Sequence, residues 1–110
     1  MRVLKIRPGE LPEAIDIPNE LSALQEQVEG YIECVAMDED TVIICNEEGL
    51  INGSKFNLIA DGHYLFGTIL IAGVDGEDFC DLPGDAEVAY LAAWGITKAS
   101  FDRYRRENVR

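Results

Sequence analysis

Residues 31–45 read YIECVAMDEDTVIIC, two β-branched and apolar runs separated by three consecutive carboxylates. Tyr31 to Met37 and Thr41 to Cys45 are each long enough for a strand, and Asp38-Glu39-Asp40 has the polar character of a tight connection, so the stretch reads as a β-hairpin. A hairpin commits the fold to antiparallel pairing, and the segments before it agree. Arg2-Val3-Leu4-Lys5-Ile6-Arg7 alternates basic and apolar side chains up to the Pro8-Gly9 turn signal, and Glu13-Ala14-Ile15-Asp16-Ile17 alternates again before Pro18. These form a first hairpin with a loose loop from Pro8 to Pro12. Between the hairpins, Leu21, Leu24 and Val28 recur at helical spacing behind Asn19, a residue type suited to an N-cap, and Gly30 stops the helix.

Beyond Cys45 the pattern weakens. Residues 46–66 hold three glycines and three asparagines without a sustained period, which predicts a long loop with one helical turn inside it. Gly67 to Val74 is apolar enough for a central strand, and Asp75-Gly76-Glu77-Asp78 turns the chain. After Pro83-Gly84, Asp85 suits an N-cap for a helix to Trp94 with Val88, Leu91 and Ala92 on one face. Thr97 suits the start of a second helix reaching Arg106. The expected order is ββαββ, loop, β, αα. That is an α+β domain with a mainly antiparallel sheet of about five strands and a helix on one face. Residues 1–82 make its core and residues 83–110 a helical extension packed on it.

Composition narrows the function. The 110 residues carry a net charge of −12, unevenly spread. Residues 8–96 hold 19 acidic side chains against the single Lys55, while residues 1–7 and 97–110 each sum to +3. Such a field repels nucleic-acid phosphates and anionic lipid and attracts basic surfaces; the competing reading is that the acidity only aids solubility. The basic tail Arg103-Tyr104-Arg105-Arg106 is a small footprint for nucleic acid beside that charge. One histidine, His63, and three cysteines without a C-x-x-C pair provide too few ligands for a zinc centre and suggest no disulfide framework. No stretch approaches the roughly 20 apolar residues of a membrane helix, and Pro8-Gly9 interrupts any signal-peptide core. The expectation is a soluble, cytoplasmic protein with no cofactor and no metal.

Several polar groups are candidates for a site. Asp75-Gly76-Glu77-Asp78-Phe79-Cys80-Asp81 has four acids in seven residues, but its spacing is wrong for a calcium loop. Glu47-Glu48 are neighbours that point apart on an extended chain and suit a turn better than an acid–base pair. Strand alternation places Tyr31, Glu33 and Val35 on one face and Ile32, Cys34 and Ala36 on the other. If helices cover only one face, Tyr31 and Glu33 face solvent.

The stretch Leu21-Ser22-Ala23-Leu24-Gln25-Glu26-Gln27-Val28-Glu29-Gly30-Tyr31-Ile32-Glu33, with Asn46-Glu47-Glu48-Gly49, Asn57 and Gly67-Thr68-Ile69, resembles a family of uncharacterised small proteins of phages, plasmids and other mobile elements, mostly of Firmicutes. The resemblance covers roughly residues 1–80. It implies a genomic setting in which small acidic proteins act on host defences by presenting carboxylates in place of phosphates. The functional expectation is therefore a non-enzymatic, DNA-mimicking inhibitor that binds the basic surface of a host protein through Asp38, Glu39, Asp40, Asp75, Glu77, Asp78 and Asp81, with a homo-oligomer open. The alternative is a domain sequestering a nucleotide signal through Tyr31, Glu33, Asn46 and Asn57.

Overall fold

The computed structural model describes residues 1–49, 51–60 and 62–93. Within them the chain forms β1 (Arg2–Ile6), β2 (Glu13–Asp16), α1 (Leu21–Val28), β3 (Ile32–Ala36), β4 (Thr41–Asn46), β5 (Phe56–Ala60), β6 (His63–Phe66), β7 (Ile69–Asp75), β8 (Asp78–Cys80) and α2 (Gly84–Ala93). The main sheet has the order β2-β1-β7-β4-β3, with β8 also paired to β7, and β5 and β6 form a separate two-stranded sheet. Every pairing is antiparallel. Gly73 faces Thr41 on one side and Cys80 on the other, so β8 occupies the same edge of β7 as β1. Leu82 N–H closes the junction on the Arg2 carbonyl at 2.9 Å.

Both faces of this sheet are covered, which is why β4 and the first five residues of β7 are buried without interruption. Leu4, Ile6, Val35, Ile43, Cys45, Ile69 and Ile71 point to one face, where Ala60 and Leu65 of the small sheet and Ala86 and Tyr90 of α2 meet them. Val3, Val42, Ile44, Leu70 and Ala72 point to the other, under Leu24 and Val28 of α1. Each fully buried Leu or Ile stabilises by about 1.5–3 kcal/mol relative to an exposed one. Among the described residues no helix is long and apolar enough to cross a membrane.

The α+β class and the antiparallel sheet stand as the sequence predicts, but several local expectations do not. The predicted loop over 46–66 contains the β5–β6 hairpin. A register shift between Phe56 and Leu58 breaks the alternation that would have marked β5. The side-chain amide of Asn57, at that shift, donates to the carbonyls of Ile6 at 2.9 Å and Gly67 at 2.8 Å, pinning the small sheet to the large one. On the face of Tyr31, Glu33 and Val35, Tyr31 and Glu33 are exposed as expected, but Val35 is buried beneath that hairpin.

Asn19 does not cap α1. Glu20 holds the N-cap position without a side-chain bond, and Asn19 donates to the Phe79 carbonyl at 2.8 Å. Leu21 is left exposed. α1 ends through Glu29, whose φ of 61° is left-handed. α2 turns Ala86, Glu87, Tyr90 and Leu91 inward, not Val88 and Ala92. Of the expected face only Leu91 is buried, and Glu87 joins it at 1% exposure, accepting from Arg2 Nε at 3.0 Å. The helix expected from Thr97 to Arg106, and Trp94 at the end of its predecessor, lie outside the described residues.

Candidate functional site

Asn46 is the hinge of the Asn46-Glu47-Glu48-Gly49 stretch. Its Nδ2 donates to the carbonyls of Val28 at 3.0 Å and Glu29 at 3.2 Å, orphan acceptors at the C-terminal end of α1, and its Oδ1 accepts from the Glu48 N–H at 2.7 Å. All three hydrogen bonds go to the protein's own backbone, so this amide organises the turn and has little left to offer a ligand. Gly49 is needed because a Cβ there would lie 2.8 Å from the Phe66 carbonyl oxygen. The two carboxylates between them are exposed.

This turn forms one wall of a pocket of 160 Å³ between the β3–β4 edge and the β5–β6 hairpin. Val35, Cys45 and Leu65 line it together with Glu33, Glu47, His63, Tyr64 and Phe66. Val35, Cys45 and Leu65 are buried and supply its floor, while Glu33, Glu47, His63 and Tyr64 are exposed at its mouth. The Cys45 thiol donates to the Glu33 carbonyl at 3.5 Å. Burial pushes its pKa up to about 11, and the charges of Glu33 and Cys34 add to the rise. At neutral pH only about one thiol in ten thousand would be ionised, so this cysteine is no ready nucleophile.

Of the four residues of the expected ligand site, the structure brings Glu33 and Asn46 to this pocket. Tyr31 stays on the surface, and Asn57 is engaged with Ile6 and Gly67. His63, Tyr64 and Phe66 were not grouped with Glu33 at the level of sequence, because their place follows from a hairpin that the pattern concealed. The pocket is smaller than the ~300 Å³ lower bound for drug-sized ligands and has no lysine or arginine in its lining, so its shape and charge do not suit a nucleotide.

The acidic candidates are arranged differently. Asp38, Glu39 and Asp40 form the β3–β4 tip, and Asp75, Glu77 and Asp78 belong to the β7–β8 turn; all six are exposed, as is Asp81. Val74 N–H donates to the Asp40 carbonyl at 2.9 Å, which joins the two turns into one acidic end of the sheet. A groove between this tip and the start of α2 adds Asp85. Asp38 locks the tip by accepting from Asp40 N–H at 2.8 Å and Thr41 N–H at 2.9 Å. Hydrogen bonds from the Asp40 N–H most of all, and from the Thr41 side chain next, hold its carboxyl below the usual range. Arg2 has its guanidinium on Glu87 and its N–H on Asp81 Oδ1 at 2.8 Å. Among the described residues no three His, Cys, Asp or Glu side chains converge closely enough to hold a metal ion. The carboxylates are spread over a surface instead of gathered around a point.

The family described as a domain of unknown function, DUF3846, matches residues 1–95, a span that includes α2 as well as the sheet. No curated protein and no solved structure matches the chain.

Proposed function

We propose that this chain, which belongs to the DUF3846 family, is a non-enzymatic binding protein whose acidic end engages a basic surface of a partner protein. The observation that carries the reading is the Val74 to Asp40 hydrogen bond. It brings two acidic turns that are distant in sequence together at one end of the sheet. Carboxylates fixed on a rigid scaffold and splayed outward fit a broad basic partner better than a single ion, and the field they sum to steers encounter. In the setting of a phage or other mobile element of a bacterium, the partner would be a host defence or nucleic-acid-binding protein whose phosphate-binding groove the carboxylates occupy.

The test compares the wild type with a variant in which Glu39, Asp40, Asp75, Glu77 and Asp78 are lysine. Asp38 is kept, because its side chain holds the tip together. Both are used to capture partners from a bacterial lysate at ~50 mM and ~500 mM salt, conditions in which screening lengths differ about threefold. The expected result is a partner retained by the wild type at low salt, released at high salt, and not captured by the variant, with unchanged denaturation midpoints. Capture that is indifferent to both salt and reversal would reduce the acidic end to a solubility device.

A further inference from the structure

The pocket under the β5–β6 hairpin lies at the opposite end of β3 and β4 from the acidic tip: Ile32 pairs with Asn46 beside it, whereas Ala36 pairs with Val42 next to the tip. What it could hold follows from its walls. The floor of Val35, Cys45 and Leu65 is apolar and buried; the mouth carries the carboxylates of Glu33 and Glu47; Tyr64 and Phe66 supply aromatic surface. Phe66 is held by an edge-on contact with Phe56 at 5.7 Å between ring centroids, so that wall is braced. Glu33 sits directly opposite Cys45 on the paired strand, on the face that looks into the pocket.

We propose that this pocket is a recognition site for a guanidinium group on a short alkyl chain, the chemistry of an arginine side chain. The alkyl stem lies on the apolar floor, the planar cation stacks on an aromatic wall, and its N–H groups reach the two carboxylates. Each of those three contacts suits a guanidinium: it is weakly hydrated, stacks on aromatic faces, and donates in a planar fork to carboxylates. An ammonium satisfies the charge but neither the stacking nor the fork. A volume of 160 Å³ suits one side chain rather than a whole cofactor. The site does not depend on the acidic end, and the two readings fail separately.

The experiment is a titration followed by backbone amide shifts, using n-butylguanidinium, n-butylammonium and the neutral isostere n-butylurea. Butylguanidinium should bind with a dissociation constant on the order of millimolar, as expected of so small a ligand, and shift the amides of residues 33–35, 45–47 and 63–66. Butylammonium should bind several-fold more weakly and butylurea should leave those amides unmoved. Glu33→Gln should weaken butylguanidinium about threefold to tenfold. Glu48→Gln removes the same charge from a neighbouring exposed residue outside the pocket and should change nothing. Acetyl-arginine-amide as a fourth probe separates the sources: equal binding indicates an arginine within a polypeptide, and loss of binding with butylguanidinium retained indicates a free small cation. The proposal is overturned if butylurea binds as well as butylguanidinium, if Glu33→Gln and Glu48→Gln behave alike, or if the shifts map to residues 38–40 and 75–78.

Discussion

Glu87, buried on α2, accepts from the guanidinium of Arg2, 85 residues away at the start of β1. A carboxylate at that depth is tolerable only with charged donors at hand, and Arg2 is itself mostly covered. The pair therefore fixes where the helix sits on the sheet.

Arg2→Ala should destabilise the fold by about 3 kcal/mol or more, the usual consequence of stripping a partner from a buried ion pair. Arg2→Met with Glu87→Leu should recover much of the loss, because apolar groups of similar size need no partner. Denaturant unfolding of the two variants checks this; equal loss in both would show that a Glu87 carboxylate without Arg2 carries no penalty of its own.

The Asn46-Glu47-Glu48-Gly49 stretch should divide sharply by position. Asn46→Ala removes three backbone hydrogen bonds at a buried site and should cost about 2–3 kcal/mol. Gly49→Ala pushes a methyl toward the Phe66 carbonyl and should cost about 1–3 kcal/mol. Glu48→Gln, exposed, should stay within about 0.5 kcal/mol of wild type. A thermal-melt series reads all three, and a large effect of Glu48→Gln would mean that its carboxylate has a structural role.

Cys45 makes stability depend on alkaline pH. Its folded pKa of about 11 is above the ordinary thiol value of 9.0, so between these pH values the unfolded chain gives up a proton that the native state keeps. Stability attributable to this group is complete below pH 9.0 and declines as pH rises toward about 11. After discounting for solvent screening the decline should reach about 1–2 kcal/mol. Cys45→Ala should flatten the difference curve, which urea unfolding at pH 8, 9.5 and 10.5 would show. The same slope in both proteins would assign the effect to other groups.

Asp38 acts at the other extreme. Its lowered carboxyl pKa gives stabilisation that is present above the unfolded value of 3.8 and is lost as pH falls through the folded one. Asp38→Asn should abolish this acid dependence of the tip, and near pH 7 it should lack the stabilisation that the ionised carboxylate supplies. Amide exchange at Asp40 and Thr41, followed from pH 5 downward, is the direct readout; identical protection in both proteins would mean that the carboxylate does not hold the turn.

The strongest hydrophobic patterns were legible in the sequence. The first two hairpins, α1 and β7 are apolar runs bounded by turn residues, and each forms where its pattern lies. The remaining elements are masked by local causes. The irregularity at Asn57 hides a strand, and three residues of β8 are too few to show a period beside four acids. The inward face of α2 shares only Leu91 with the apolar stripe of Val88, Leu91 and Ala92, because the burial of Glu87 depends on Arg2, 85 residues away. The site is half legible for the same reason: Glu33 and Asn46 lie in or beside recognisable strands, whereas His63, Tyr64 and Phe66 come from a hairpin without a sustained period. Asn46 illustrates a different point. An asparagine after a strand looks available for a ligand until the helix carbonyls it bonds are placed in space.

The placement of β1 has a consequence for the order of events during synthesis. Its partners besides β2 are Ile69 to Ile71, and its first residue is held by the backbone at Leu82 and the side chains of Asp81 and Glu87. A nascent chain can close the hairpin of β1 and β2 early, but that hairpin has no sheet to join until β7 has left the ribosomal tunnel, and no clasp until α2 follows. Isolated hairpins are marginal in water. Val3, Leu4 and Ile6 therefore stay without their β7 neighbours until Ile69 to Ile71 have been made, and contacts this distant in sequence favour slow, late closure. Loss of β7 would strand a sticky apolar ribbon, a natural target for chaperones and proteases, where the folded sheet has a sealed seam.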